Sequence, residues 1–297
     1  MIDIWETLES AFPAIVGNLR AADKDLPGHP VQQVEGWARL MDFLLFEGKA
    51  INGKIVTENL QRRAYMNPDA IDNSFEALTK ENFAIKNEDG TFNVTGAGSA
   101  IYTDYFLARM LAYDAITLLS DDDFTVFIDF LKKGYEAAKT TPQPGHKPGM
   151  SIGYNFYTNI TGVGGQLGTM LGWINLAEMY RDDVHAYVWK KAGFTGIQIE
   201  SLTNIWRDEV YNAKELAEQL SFRGYVEEDY QQALDELAAK DILSVNDNHY
   251  TLTENGLTRR KQVENETNQI YDAFCAATYS EQEIAEFARV IEVIKSE

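Results

Sequence analysis

Cysteine is almost missing from this chain: Cys275, in the apolar stretch AFCAA, is the only one in 297 residues. A lone thiol makes no internal disulfide and no cysteine-rich metal site, and its setting reads as a buried structural thiol. There is no CxxC and no HExxH, and His29, His146, His185 and His249 are too scattered for the usual ligand spacings, so no metal or other cofactor is expected. Long apolar runs are also lacking. FLLF at 43–46 falls far short of the roughly 20 residues that span a bilayer, and MIDIWETLES has no basic start followed by an apolar core. These absences predict a cytoplasmic protein with no membrane partner. Positive charge is scarce: 26 Lys and Arg stand against 46 Asp and Glu, a net charge of -20. The excess is spread evenly, with 13 basic and 22 acidic residues in 1–140 and 13 and 24 in 141–297. Both halves should repel a polyanion unless a local basic patch intervenes.

What the chain does have is a repeat. FNVTGAGS at 92–99 and YTLTENGL at 250–257 share an aromatic residue, a threonine and a glycine three residues after it. Each follows a helical pattern, SFEALTKENFAI at 74–85 and ALDELAAKDILSV at 233–245, and a polar tip, NEDGT or NDN, that predicts a β-hairpin. Before the helices lie NGKIVTENLQ at 52–61 and NAKELAEQLS at 212–221, each opening on a capping Asn. Beyond the hairpins come long helices, then SDDDFTVFIDFLKK at 120–133 and SEQEIAEFARVIEVI at 280–294. There Ser is followed three residues on by Asp123 or Glu283, and Phe124, Phe127 and Leu131 answer Ile284, Phe287 and Ile291. Acids in the first turn, such as Asp121 to Asp123, favour the helix dipole and need no ion.

The order helix, helix, helix, two-stranded wing, long helix, terminal helix is a winged helix-turn-helix layout. With ELAEQL, QALDELAAKDIL and YTLTENGL in that order, the chain resembles the MarR-type regulators over 201–297 and, more weakly, over 34–140. The stretch from RDDVHAYVWKKAGFTG onward also resembles an uncharacterised family of winged-helix proteins. The resemblance implies a recognition helix at 227–240, a wing closed by Leu252, Thr253 and Gly256, and dimer-forming terminal helices. Two such units in one chain would make a covalent pseudo-dimer, itself a monomer or dimer. The expected fold is therefore mainly α with small β-wings: an N-terminal helical arm at 1–33, one winged-helix lobe at 34–140, a linker and helical insert at 141–200, and a second lobe at 201–297. TTPQPGHKPGMSIGY at 140–154 reads as an extended linker or loop, and GGQLGTMLGW as a helix whose Gly164, Gly168 and Gly172 form a smooth stripe against another helix. TGVGGQLG lacks the GxGxxG register and the Lys-Ser/Thr of phosphate loops.

Function is weighed on two features. A groove reader needs Arg, Lys, Asn or Gln aimed at bases, whereas NPDAIDNSFEALTK and VEEDYQQALDELAAK carry mostly carboxylates. DNA reading would fall to Arg62, Arg63, Gln231, Gln232, Arg259 and Arg260, and the arginine clusters read as helix surfaces pairing with nearby acids. The second feature is aromatic: Tyr102, Tyr105, Tyr154, Tyr157, Tyr180, His185 and Trp189 lie where a pocket between lobes would form, as the resemblance implies for ligands. The expectation is a non-enzymatic regulatory protein that binds a small apolar or aromatic ligand or a protein partner, with DNA binding weakened or lost. The alternatives are a DNA-binding transcriptional regulator and an enzyme with an aromatic-lined site at the lobe junction.

Overall fold

The structure, a computed structural model, describes residues 4–24, 26–160 and 163–296. Helices α1 (Ile4–Glu9) and α2 (Phe12–Lys24) form an arm. The first lobe follows with α3 (Leu40–Leu45), α4 (Gly53–Asn59), α5 (Pro68–Lys80), the hairpin β1 (Ala84–Lys86) and β2 (Phe92–Val94), and α6 (Gly96–Asp114). Then come α7 (Asp121–Thr140), α8 (Pro148–Ile160) and α9 (Gly165–Lys191). The second lobe has α10 (Gly196–Trp206), α11 (Ala213–Gln219), α12 (Glu227–Ala239), β3 (Leu243–Asn246), β4 (His249–Leu252) and α13 (Glu254–Thr278), and α14 (Glu281–Ser296) closes the chain. The fold is mainly α, with two antiparallel hairpins as wings. No helix among the described residues is long and apolar enough to cross a membrane.

The two lobes repeat each other down to single atoms. Asn52 and Asn212 cap α4 and α11 by accepting from the N–H groups of Ile55 and Glu215 at 2.9 Å each. Helices α5 and α12 both pass through a left-handed residue, Asn82 or Asp241, into the first wing strand. Thr95 and Thr253 then donate to the carbonyls of those same residues, at 2.8 and 2.6 Å, and cap α6 and α13 through the N–H groups of Gly98 and Gly256. The glycines follow from this geometry. A Cβ on Gly98 would lie 2.2 Å from the Phe83 carbonyl oxygen, and one on Gly256 2.0 Å from that of Ile242. The shared threonine and glycine of VTGAGS and LTENGL thus bring the long helix's first turn onto the wing's backbone.

The terminal helices of the repeats pack on each other. Phe130 on α7 stacks between Tyr279 and Phe287 at 3.8 and 4.0 Å. Asp123 pairs with Arg289 and Lys133 with Glu283, each at 2.6 Å, so each helix's first-turn acid meets a cation of the other. Burial is organised in two clusters. The larger takes in the arm, the first lobe, α7, α8, most of α9 and the ends of α13 and α14. The smaller holds the second lobe, with Ala186, Val188 and Trp189 of α9.

Two expectations change in detail. Within 140–154 only 141–147 is a loop: α7 runs to Thr140 and α8 starts at Pro148, so the second half of the stretch is helical. Proline suits a first helical turn, and the next N–H groups, of Gly149 and Met150, donate to Asp183 of α9 at 3.1 and 3.0 Å. The glycine-striped helix begins at Gly165, one residue later than expected, after Gly164 as its cap. Added Cβ atoms on Gly164 and Gly168 would stand 3.0 and 3.4 Å from Met110 Sδ of α6, so these two glycines do face a neighbouring helix; Gly172 is buried as well.

Candidate regulatory site at the lobe junction

After α4 and α11 the chain makes matching three-residue helical turns, Gln61–Arg63 and Ser221–Arg223, before the recognition helices. Each turn is tied to its own lobe by an arginine. Arg63 reaches Asp42 of α3 at 3.3 Å and Arg223 reaches Glu200 of α10 at 2.6 Å. The Asp42 side chain is fully buried, so its neutralisation by Arg63 and by Arg39, at 3.1 Å, is required.

The two turns dock on one another. The Asn67 N–H donates to the Arg223 carbonyl at 2.9 Å, its side-chain amide donates to the Gly224 carbonyl at 3.1 Å, and the Tyr225 hydroxyl donates to the Met66 carbonyl at 3.1 Å. The Arg223 guanidinium lies 5.4 Å from the centre of the Tyr65 ring, and Lys190 Nζ donates to Gln61 Oε1 at 2.9 Å. The fit is close: a Cβ on Gly196 would sit 1.9 Å from the Ala64 carbonyl oxygen, and one on Gly224 2.2 Å from the Ala70 Cβ. Helices α5 and α12 are each 13 residues, about 20 Å, long, and the first turn of α5 meets the segment that leads into α12 at Ala70 and Gly224.

A charged cluster backs this clasp. Arg62 donates to Asn175 Oδ1 at 3.1 Å and to the Tyr157 hydroxyl at 3.4 Å, with Glu178 at 3.7 Å and Asp182 at 4.0 Å. Burial raises the Glu178 carboxyl above its usual range, against the pull of Arg62. Nearby, burial pushes Asp183 up to about 7, opposed by the two N–H groups it accepts. His185 is pushed down to about 4 by burial and contacts the Thr267 hydroxyl at 3.2 Å.

The aromatic residues singled out from sequence do not share one cavity. Tyr102 and Tyr105 are 5.8 Å apart on α6, and Tyr105 lines a cleft of about 370 Å³ with Asp23, His29 and Arg109. Tyr154 stacks on Tyr135 at 4.7 Å, Tyr157 meets Arg62, and Tyr180 packs on Phe274 at 4.7 Å. His185 faces α13, and Trp189 lies 6.0 Å from Tyr65 at the clasp. An apolar cleft of about 340 Å³ is lined instead by Leu44, Phe106, Leu107, Met110, Phe156 and Val163, between α3, α6 and α8, with Glu47 and Asn155 hydrogen-bonded to each other among its lining residues.

The arginines of these clusters are engaged by neighbouring groups, acids among them, and are largely covered. Arg62 and Arg63 are held inside the junction, and Arg260 is 4% exposed, bonded to Thr203 and Glu264 and set 5.0 Å from the Trp206 ring. Arg259 donates to the Ala192 carbonyl at 2.5 Å. Gln231 is engaged by Asp235 and the Tyr250 hydroxyl, and Gln232, which is exposed, by Glu236. Sequence reasoning missed Asp42, Asn67, Gly196 and Glu200. A signal was present: Arg63 and Tyr65 recur as Arg223 and Tyr225 in the two turns.

Residues 169–296, from α9 through α14, match the model of a family described as a helix-turn-helix family. No curated protein and no solved structure matches the chain. The match covers the second lobe together with the helix that precedes it, and it agrees with the winged helix-turn-helix geometry found there.

Proposed function

We propose that this chain is a non-enzymatic regulatory protein, a tandem MarR-like pseudo-dimer that has given up reading DNA and works by binding a small apolar molecule or a protein partner. The observation that carries this reading is the exposed carboxylate face of α12, and the clasp between the helix-turn-helix turns supports it. Paired recognition helices serve half-sites about 34–36 Å apart and present their N-terminal residues to the bases. Here the segments that lead into α5 and α12 are bound to each other, which fixes the spacing and orientation of the two helices. Electrostatics points the same way. Glu227, Glu228, Asp235 and Glu236 stand exposed on α12 in a chain of net charge -20, so few phosphates would be met by cations and little counterion release would favour binding. The apolar cleft between α3, α6 and α8 supports a ligand of modest size, whose binding to the native state alone would raise stability by mass action.

The test is a titration of labelled genomic fragments at about 0.15 M salt, run beside a thermal-shift screen of small aromatic compounds. Weak binding without sequence preference, together with stabilising compounds, is the expected result. Nanomolar binding to one fragment would reverse the reading in favour of a DNA-binding regulator, the role that the helix-turn-helix family match suggests.

A further inference from the structure

The two lobes differ at one matching place. In lobe 1 the middle residue of the turn after α4 is Arg62, which is covered by α8 and α9 through Tyr157, Asn175 and Glu178. In lobe 2 the same position is Phe222, which is 63% exposed; its ring meets the Arg223 guanidinium at 4.7 Å. The cap of α5 is Asn67, held in the clasp, whereas the cap of α12 is Val226, which is 56% exposed. The helix pair α8–α9 occurs once in the chain, so the surface it covers on lobe 1 has an apolar counterpart on lobe 2 that faces solvent. Beside Phe222 and Val226 runs the outer face of α12, a shallow groove of about 610 Å³ lined by Glu227, Glu228, Gln232, Asp235 and Glu236. Among the described residues none of these four carboxylates is in an ion pair, and Asp235 and Glu236 accept hydrogen bonds only from neutral groups, Gln231 and Tyr250 or Gln198 and Gln232.

We infer that Phe222 and Val226, with the carboxylate face of α12, form the docking surface for a basic amphipathic helix of a partner protein. The apolar pair supplies an anchor, and large exposed apolar side chains with a polar border are the usual mark of such surfaces. The carboxylates, whose charge no cation offsets, select the charge of the partner and disfavour a second copy of this chain, whose own net charge is -20. The covering of the same position in lobe 1 by a helical pair argues that a helix is the shape that fits. The inference rests on the reading that the protein acts through a partner and not through DNA.

The experiment uses the full chain and a fluorescein-labelled peptide of about 18 residues, with leucines at helical i, i+3 and i+4 spacing flanked by lysines. A twin peptide has every lysine replaced by glutamate. Fluorescence anisotropy should show the basic peptide binding wild type at least tenfold more tightly than Phe222→Ser or Val226→Ser, and more tightly than the double variant Glu227→Gln/Glu228→Gln. The glutamate twin should not bind, and added salt should weaken the basic peptide. Both apolar positions are exposed, so melting curves of the serine variants should match wild type. Equal binding to Phe222→Ser and Val226→Ser, or no binding of the basic peptide, overturns the inference. So does sedimentation showing a wild-type dimer that Phe222→Ser dissolves, because a second copy would then be the occupant. Tight binding in the DNA titration would sink the underlying reading, whereas absence of both DNA and peptide binding would sink only the docking surface.

Discussion

Phe127 and Phe287, the corresponding residues of the two repeats, meet with ring centroids 5.6 Å apart and planes 26° apart. A residue touching its own counterpart marks a local two-fold relation, as in an isologous dimer interface. Both rings are fully or almost fully buried. Replacing either with Ala should cost about 3 kcal/mol of unfolding free energy. A double-mutant cycle in urea should then return a coupling of roughly 0.5–1.5 kcal/mol. Additive single effects would mean that the rings fill separate holes and do not pin the repeats together.

The repeated threonine and glycine offer a sharper test, because the glycines of the two motifs differ in their surroundings. Gly98 and Gly256 have carbonyl oxygens where a Cβ would go, whereas nothing lies within 4 Å of a Cβ on Gly96. Gly98→Ala and Gly256→Ala should each lose about 1–3 kcal/mol. Gly96→Ala should be neutral or slightly stabilising, because Ala restricts the unfolded chain more than Gly does. Equal effects at Gly96 and Gly98 would show that helix propensity, and not the approach of the wing backbone, explains the motif.

Features set by local rules were legible in the sequence. The Asn and Ser caps, the wing tips and the Phe127 to Phe287 correspondence each follow from a few neighbouring residues, and the structure has them in place. The proline-rich segment misled because Pro148 at a helix start and Pro148 in a loop look alike until the acceptor, Asp183, is known. The junction was illegible for a different reason. Whether Arg62 points to solvent or to Asn175, 113 residues away, is decided by long-range packing that no local pattern records. The aromatic residues scatter into separate contacts for the same reason, since composition reveals their number and not their facing.

Asp183 predicts a pH dependence. Its carboxyl is buried and raised to about 7, against about 4 for an unfolded Asp. A raised acid binds its proton more tightly in the folded state, so its contribution is present in full below about pH 4 and is lost as pH rises toward 7. Asp183→Asn removes that titration while keeping one acceptor oxygen for the N–H groups of Gly149 and Met150. Urea unfolding of both proteins should show wild type losing about 4 kcal/mol relative to Asp183→Asn between pH 4 and pH 8. A difference that stays constant across this range would mean that Asp183 does not titrate there.

The clasp itself can be wedged open. Gly196 begins α10 against the Ala64 carbonyl, and a side chain there has no room unless the lobes part. Gly196→Val should therefore lower the melting temperature and lengthen the distance between spin labels placed at Lys80→Cys and Lys240→Cys, exposed positions at the far ends of the two recognition helices. Cys275 is buried and should label poorly beside them. The same variant separates the two causes proposed for weak DNA binding. If closure alone prevents it, the wedged protein should gain affinity for duplex DNA. If the carboxylates of α12 prevent it, opening the lobes changes nothing, and binding should appear only when Glu227, Glu228, Asp235 and Glu236 are also replaced by glutamine. We expect the second outcome, because an acidic face repels phosphates at any lobe spacing. A salt-dependent gain in the Gly196→Val variant alone would assign the effect to the clasp.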